Sequence, residues 1–235
     1  MDVAKILNSS DEFVRCLNSY LMGYLEANNV HIGIIGCIYY SHDYCSDNLI
    51  NLKPDLNYLH KRERLAKIAT RYETPKVLEV GINAGHSAVI FLIANSNLVF
   101  YGIDNAKPFN DGKIIIRSDI YVPAAIQFLK IHFTGRVDWA QGNSWQALKI
   151  LSEVKEHQKK YNILHLDAQK EFYYRDFLEA LPLLQQEATI IVDDTAGPAD
   201  PASQAVDRLI AEGYCEIDIE FPDRMANTIL RLKNT

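Results

Sequence analysis

From residue 76 onward, short continuous apolar runs alternate with stretches that have the periodicity of amphipathic helices. Uninterrupted apolar runs are typical of strands that are buried on both faces of a sheet. Alternating strands and helices predict parallel strands joined by right-handed crossovers, and hence a doubly wound sheet. The predicted strands are 76–80, 98–103, 137–141, 161–166 and 189–193, and the predicted helices between them are 84–95, 121–133, 144–158 and 171–185.

The end of the chain departs from this alternation. A predicted helix at about 202–212 is followed by two apolar segments, 214–221 and 227–233, with Pro222 and Asp223 between them. Because a parallel connection needs a dozen or more residues, two strands this close must pair antiparallel. The sequence therefore predicts an α/β protein with a seven-stranded sheet, in which five parallel strands are followed by an antiparallel C-terminal hairpin.

The N-terminal region has helical periodicity instead. Ser9 and Glu12 have the spacing of a capping box, and apolar residues between 13 and 25 recur on one helical face. A second helical pattern begins near residue 56 and should end before Pro75, because the residue before a proline disfavours the helical conformation. We therefore predict two parts, an N-terminal helical segment at 1–55 that covers the substrate and the doubly wound domain at 56–235.

Charge and hydropathy restrict the classes of partner. The formal charge is −6 and the pI about 5.6, so the basic footprint of a protein that binds nucleic acid or an anionic membrane is missing. The longest apolar stretch outside the glycine-rich region, 30–40, has about half the length that spans a bilayer. The N-terminus lacks the plan of a signal peptide, and we expect a cytoplasmic protein.

Residues 30–52 give no clear prediction of secondary structure, because an apolar patch is followed directly by turn-forming residues. The four scattered cysteines form no CxxC pair and fit reduced thiols, although a disulfide between Cys37 and Cys45 stays open. The tyrosines of this region and an insertion-like segment are candidate walls or lids of a substrate pocket: Tyr39, Tyr40, Tyr44 and residues 107–119.

The segment VLEVGINAGHSAVIF, residues 77–91, combines the first predicted strand with a glycine-containing turn. Gly81 would let the backbone turn sharply, and Gly85 would let the next helix approach the strand and a ligand closely. The GxGxxG pattern and the P-loop lysine are absent, which argues against a nicotinamide dehydrogenase and a P-loop NTPase. Glu79 would suit a cationic ligand. Asp104, at the end of the second strand, could accept hydrogen bonds from both hydroxyls of a ribose.

An ExGxxxG motif with an acid at the end of strand two resembles the class I S-adenosylmethionine-dependent methyltransferases. The closer resemblance is to the catechol and caffeoyl-CoA O-methyltransferase family, whose first motif is similar to LExGxxxGxSA. The matching residues are Leu78, Glu79, Gly81, Gly85, Ser87 and Ala88. The resemblance covers roughly residues 56–235 and implies a Rossmann-like fold with S-adenosyl-L-methionine as the cofactor. The implied cofactor-binding residues are Glu79, Gly81, Gly85, Ser87, Asp104, Asn143, Ser144, Trp145 and Asp167.

Several residues near the implied cofactor site have a structural alternative. Asn143, Ser144 and Trp145 resemble the family's adenine-holding step, but Ser144 could instead cap a helix and Trp145 could simply pack. His86 could touch the methionine end of the cofactor or be structural. His165 lies inside a buried strand, and we expect it to be a hydrogen-bonded core residue.

Three aspartates follow the fourth and fifth predicted strands. Asp167 follows strand four, and Asp193 and Asp194 end strand five. Adjacent parallel strands would bring the three carboxylates together at the carboxyl edge of the sheet, where oxygen ligands suit Mg²⁺ or a related hard cation. The alternative for Asp193 and Asp194 is a solvated pair or a pair that caps the next helix.

The same aspartates carry a second part of the resemblance. The family signature Asp-Ala-x-Lys-x-x-Tyr is matched from Asp167 to Tyr173, and Asp193–Asp194 occupy the position of the signature that ends strand five. The resemblance implies that Asp167, Asp193 and Asp194 hold the metal. It also implies that Asp167 and Lys170 are catalytic, with Lys170 as the general base. The alternative for Lys170 is an exposed helix lysine.

Together the residues and the resemblance predict an O-methyltransferase that acts on the hydroxyl of a small, phenol- or catechol-like molecule, with a divalent metal ion assisting. Two alternatives stay open, a metal-independent N- or O-methyltransferase with a side-chain base and a noncatalytic, cofactor-binding regulatory protein. We expect a homodimer, because two-fold pairs are the commonest assembly, and neither nucleic acid nor a membrane as partner.

Overall fold

The structure is a computed structural model, and it describes residues 2–30, 56–110, 115–224 and 226–233. The helices are α1 (Val3–Ala27), α2 (Leu56–Thr70), α3 (His86–Ala94), α4 (Ser118–His132), α5 (Ser144–Glu153), α6 (Tyr173–Ala180) and α7 (Pro201–Ala211). The strands are β1 (Lys76–Val80), β2 (Val99–Asp104), β3 (Phe109–Asn110), β4 (Ile115–Ile116), β5 (Val137–Gln141), β6 (Tyr161–Leu166), β7 (Leu184–Thr195), β8 (Cys215–Ile217) and β9 (Ala226–Leu232).

One seven-stranded sheet has the order β5-β2-β1-β6-β7-β9-β8. The pairs β1–β6 and β6–β7 are parallel, whereas β9 pairs antiparallel with both β7 and β8. The predicted strands and the predicted C-terminal hairpin are therefore confirmed. The last strand inserts between β7 and β8, so β8 runs in the same direction as β7.

Burial explains why the apolar runs form strands. All of β6, from Tyr161 to Leu166, is buried, and four of the five residues of β1 are buried as well. Strand β7 begins at Leu184, earlier than predicted, and its polar start was not recognised as part of a strand. Leu184 pairs with Tyr161 across a register shift, and tertiary pairing here overrides the low strand propensity of the local sequence.

The described chain forms two compact units. The helical unit comprises Met1–Glu73, Ile82–Val99 and Ala106–Asp138, and the sheet unit comprises Thr74–Gly81, Phe100–Asn105 and Trp139–Thr235. This division runs through the interior of the predicted doubly wound domain. The predicted boundary at residue 55 lies outside the described residues and stays a prediction.

In the helical unit, α1 packs against α2, α3 and α4, and α2 packs against α3. Helix α1 begins at Val3 because the side chain of Asp2 accepts a hydrogen bond from the backbone N–H of Ala4, at 3.0 Å. The predicted capping box at Ser9 and Glu12 is therefore wrong, since both residues lie inside the helix.

Other sequence predictions concern thiols, pocket walls and membranes. Cys16 and Cys215 are free thiols, whereas Cys37, Cys45 and the three tyrosines near them lie outside the described residues. In the insertion-like segment, β3 and β4 pair antiparallel, with Phe109 opposite Ile116. Within the described ranges, no helix is long and apolar enough to cross a membrane. The homodimer stays a prediction.

Candidate functional site

Gly81 forms the sharp turn that follows β1. Its φ angle is +94°, and its N–H donates a hydrogen bond to the carbonyl of Ile103 at 2.8 Å. A Cβ atom at this position would lie 2.1 Å from the backbone oxygen of Asp167. Any side chain would therefore collide with the end of β6, and the backbone conformation itself disfavours residues other than glycine. The predicted sharp turn is present.

The start of α3 belongs to the helical unit. Gly85 is the residue before α3, with a φ angle of +77°, and a Cβ atom on it would lie 3.0 Å from Cδ1 of Leu129. His86 is 4% exposed and its Nε2 lies 2.7 Å from Oδ1 of Asn18. Burial lowers the pKa of His86 to about 4, so the ring is neutral at physiological pH. These contacts favour the structural alternative for His86. Ser87 is buried.

Glu79 and His165 form a buried pair within the sheet. The register places them opposite each other on β1 and β6, and Oε1 of Glu79 lies 2.6 Å from Nδ1 of His165. Their side chains are 0% and 1% exposed. The prediction that His165 is a hydrogen-bonded core residue is confirmed. In the sequence, Glu79 and His165 appear only as two polar residues inside apolar strands. That they are partners follows from the register of β1 and β6.

The carboxyl ends of β2 and β5 are joined through the turn that precedes α5. The N–H of Gly142 donates to the backbone carbonyl of Asp104 at 2.9 Å, and the side chain of Asp104 is half-buried. Asn143 is the N-terminal cap of α5 but makes no capping hydrogen bond with its side chain. This turn therefore places Asn143 next to the backbone of the acid that the sequence assigned to a ribose.

Ser144 and Trp145 begin α5 and contact two residues of α6 that were not singled out in the sequence. The hydroxyl of Ser144 donates to Oδ1 of Asp176 at 2.7 Å. The N-cap position is taken by Asn143, so the capping alternative for Ser144 is wrong. The guanidinium of Arg175 lies over the Trp145 ring, 3.6 Å from its centroid. Asp176 lies on the buried face of an amphipathic helix, and an acid at such a position could have marked it as a candidate residue. The sequence does not indicate that Ser144 is its partner.

Asp167, Asp193 and Asp194 lie at the ends of β6 and β7, and their role as metal ligands stays a prediction. Among the described residues, the potential ligands whose donor atoms lie within 4.8 Å of one another are those of Glu79, His165 and Asp167. Asp193 and Asp194 are not in this group. Asp193 is buried, whereas Asp194 has a φ angle of +57° and is the extra residue of a bulge between β7 and β9.

The pKa of Tyr173 is raised both by burial and by the negative charge at this edge of the sheet. Burial raises its pKa well above the usual value, and the negative charges of four aspartates raise it further: Asp167, Asp193, Asp194 and Asp176. Its hydroxyl donates to the backbone carbonyl of Ala168 at 3.3 Å. The carboxylates therefore lie near enough to Tyr173 to form one acidic region, although they do not meet at a common point.

Lys170 lies in this acidic region. Its Nζ donates to the backbone carbonyl of Asp194 and to Oδ2 of Asp200, both at 3.2 Å, and lies 3.8 Å from Oδ2 of Asp194. The side chain is 30% exposed. Lys170 is therefore not an exposed helix lysine. Its ammonium contributes positive charge to a region of carboxylates.

The donor chemistry of the acidic region fits a hard divalent cation, because Asp167, Asp193 and Asp194 all offer carboxylate oxygens. The closer group around Glu79 fits a metal less well. Glu79 and His165 of that group are already hydrogen-bonded to each other through Oε1 and Nδ1.

Comparisons with known proteins agree with this fold. Residues 78–195, half of the chain, match the model of a family described as a methyltransferase domain. A search of curated proteins found no match. An O-methyltransferase from Bacillus cereus in complex with SAH (S-adenosylhomocysteine) has a TM-score of 0.54 and 17% identity, covering 92% of this chain and 91% of that one.

Two further solved structures are similar. A Staphylococcus aureus protein assigned to the caffeoyl-CoA O-methyltransferases has a TM-score of 0.57 and 15% identity, covering 92% of this chain and 99% of that one. The O-methyltransferase TomG of tomaymycin synthesis, from Streptomyces achromogenes and in complex with SAM (S-adenosylmethionine), has a TM-score of 0.56 and 15% identity, covering 92% and 98%. At these identities the structures show a shared fold, and the family match is independent of them. The chain therefore belongs to the methyltransferase domain family, which confirms its predicted place among the class I S-adenosylmethionine-dependent methyltransferases.

Proposed function

We propose that this protein is an O-methyltransferase that transfers the methyl group of S-adenosylmethionine to the hydroxyl of a small, phenol- or catechol-like molecule. The observation that carries the proposal is the Gly81 turn, whose Cα faces the backbone of Asp167 with no room for a side chain. This turn brings the cofactor motif into direct contact with Asp167, the first residue of the candidate catalytic segment (Asp167–Tyr173). The O-methyltransferase structures of the same fold, in complex with SAH and SAM, support the choice of cofactor.

In the sheet unit, the cofactor site that we propose follows the carboxyl ends of β1, β2, β5 and β6. Asp104 would accept hydrogen bonds from the ribose hydroxyls, and Asn143, Ser144 and Trp145 would hold the adenine. Glu79, Gly81 and Asp167 would lie at the methionine end, where negative charge favours the sulfonium and ammonium groups. Gly85 and Ser87 stay predictions from the resemblance.

Replacing Asp104 by alanine should weaken binding of S-adenosylhomocysteine about 10- to 100-fold, because hydrogen bonds to a charged group contribute about 1.5–3 kcal/mol. Isothermal titration calorimetry measures this directly. The matched control is Glu216→Ala, which removes an exposed acid from β8 at the far edge of the same sheet and should leave the affinity unchanged. Unchanged affinity of Asp104→Ala would remove Asp104 from the cofactor site.

The reaction requires the substrate hydroxyl to lose its proton and attack the methyl carbon in line with the departing sulfur. The new O–CH₃ bond forms as the S–CH₃ bond breaks, and the products are a methyl ether and S-adenosylhomocysteine. Lys170 is the proposed acceptor of the proton once its ammonium has released one proton and become a neutral amine, since it is the lysine of the Asp167–Tyr173 signature and is partly exposed. Positioning the two reactants would supply most of the acceleration.

A divalent cation held by Asp167, Asp193 and Asp194 would supply Lewis-acid polarisation, which lowers the pKa of a bound hydroxyl. The contacts of Lys170 favour a second candidate, a metal-independent methyltransferase. Its ammonium contacts both Asp194 and Asp200, and thus already offers a positive charge to the acidic region. The two candidates differ in one property, whether transfer needs a divalent ion.

If the reaction is metal-assisted, methyl transfer to a catechol, which has two neighbouring phenolic hydroxyls, should fall at least about tenfold in EDTA. It should recover when Mg²⁺ or Mn²⁺ is added in excess. Asp193→Ala should lose the metal response while it still binds S-adenosylhomocysteine, because the cofactor residues lie on other strands. Asp194→Asn should be tolerated, since an amide oxygen is also a hard ligand.

The matched control is Glu171→Gln, an exposed acid beside Lys170, which should keep the full metal response. Lys170→Ala should slow turnover, because it removes the proposed acceptor of the substrate proton, and should spare cofactor binding. Equal rates with and without EDTA would reject the metal-assisted reaction and leave the metal-independent methyltransferase.

A further inference from the structure

Two neighbouring residues of α6 contact two neighbouring residues of α5. Oδ1 of Asp176 accepts the hydroxyl hydrogen of Ser144 at 2.7 Å, and the guanidinium of Arg175 covers the ring of Trp145. Helix α6 directly follows Lys170–Phe172 of the candidate catalytic segment, and α5 begins at the turn that we assign to the adenine. The two contacts therefore connect the adenine turn to the helix behind the catalytic segment.

Burying the carboxyl group of Asp176 lowers the stability of the fold, so stability does not explain why this residue is an aspartate. Its side chain is 0% exposed, and within the described chain its Oδ2 atom is buried without a hydrogen-bond partner. Burial raises the pKa of Asp176 to about 6, although the Ser144 hydrogen bond and the charge of Arg175 lower it, and the charge of Glu179 raises it further. In the unfolded chain this carboxyl ionises at lower pH, so its burial destabilises the fold increasingly as pH rises from about 4 through 6.

The Ser144 contact has a consequence for the turn before α5. Asn143 makes no side-chain capping hydrogen bond, so the first turn of the helix is not fixed by its own cap. Gly142 is hydrogen-bonded to the backbone of Asp104, the proposed ribose ligand. A shift of Ser144 would therefore move both the adenine side and the ribose side of the cofactor site.

We propose that Asp176 is a positioning residue for the cofactor: by holding the hydroxyl of Ser144, it fixes the Gly142–Ser144 turn against which the adenine rests. Asp176 acts through Ser144 and does not touch the reacting atoms. The inference rests on the proposed function, because it assigns a role within that cofactor site.

The test is a double-mutant cycle on Ser144 and Asp176, read by calorimetry with S-adenosylhomocysteine and by steady-state kinetics at pH 8. Asp176→Ala and Ser144→Ala should each weaken affinity about tenfold and raise the KM for S-adenosylmethionine, with kcat within twofold of wild type. The double variant should be no weaker than either single one, because both remove the same contact. Asp176→Asn keeps an acceptor oxygen and should lose only about threefold.

Stability separates positioning from a general defect of the fold. At pH 8 Asp176→Asn removes an ionised buried carboxyl, so its unfolding midpoint in urea should equal or exceed that of wild type although its affinity falls. Glu179→Gln, on the same helix, is the matched control and should leave affinity unchanged.

Each outcome has one meaning. If wild type does not bind S-adenosylhomocysteine, the proposed function fails. If wild type binds it but Asp176→Ala binds equally well, or if the two single effects add fully in the double variant, the positioning role of Asp176 is rejected.

Discussion

Replacing Gly81 by alanine is expected to destabilise the fold by about 3 kcal/mol or more and to abolish cofactor binding. The φ angle of +94° alone makes a side chain unfavourable, by about 1–2 kcal/mol for a left-handed residue. The new Cβ would also lie 2.1 Å from the carbonyl oxygen of Asp167, which is backbone and cannot rotate away. Relief requires β1 and the end of β6 to separate, and the Glu79–His165 hydrogen bond joins the same two strands.

Urea unfolding and calorimetry with S-adenosylhomocysteine measure the two effects of Gly81→Ala. The matched control is Gly197→Ala, because a Cβ atom at Gly197 would meet nothing within 4 Å. That substitution should leave stability unchanged or raise it by about 0.4–1 kcal/mol, through a smaller entropy of the unfolded chain. A Gly81→Ala protein with the stability and affinity of wild type would show that the turn tolerates a side chain.

The sequence was sufficient for the architecture because buried parallel strands leave a strong local signal. Strands β1, β5 and β6 begin and end at the predicted residues, since each is a short apolar run with turn-forming or polar neighbours. The start of β7 is not predicted, because Gln185, Gln186 and Glu187 are polar and lie in the register shift between the pairs Tyr161–Leu184 and Ile163–Thr189. The start of α1 was also mistaken, because Asp2 caps the helix and Ser9 does not.

The candidate site was less predictable, because its contacts join residues far apart in the sequence. Periodicity could show that Glu79 and His165 lie in buried strands, but only the register shows that they are partners. The contact of Ser144 with Asp176 depends on how α5 and α6 pack, which no local pattern specifies. The spacing of the three aspartates correctly indicated the carboxyl ends of two adjacent strands. It could not reveal the bulge at Asp194 in the pairing of β7 with β9.

Removing one partner of the Glu79–His165 pair should be among the most destabilising changes in the sheet. Breaking a fully buried ionic or hydrogen-bonded charge pair costs about 3–5 kcal/mol, because the remaining group loses its compensation in a region of low dielectric. Both side chains are buried, and Oε1 and Nδ1 are only 2.6 Å apart. His165→Phe isolates this polar effect, since the phenyl ring fills the space of the imidazole and leaves no large cavity.

The pair, and not the histidine alone, should determine the stability. The double variant Glu79→Leu/His165→Phe replaces both groups by apolar side chains of similar volume, and it should recover most of the loss measured for His165→Phe. Glu212→Gln breaks an exposed ion pair with Arg208 and should have no measurable effect on the urea midpoint.

Calorimetry adds a second readout, because the double variant lacks the negative charge beside the cofactor motif. We expect it to fold stably and yet to bind S-adenosylmethionine more weakly than wild type. If His165→Phe is as stable as wild type, the 2.6 Å contact contributes nothing to the fold; if the double variant is stable and binds the cofactor normally, Glu79 does not act on the cofactor.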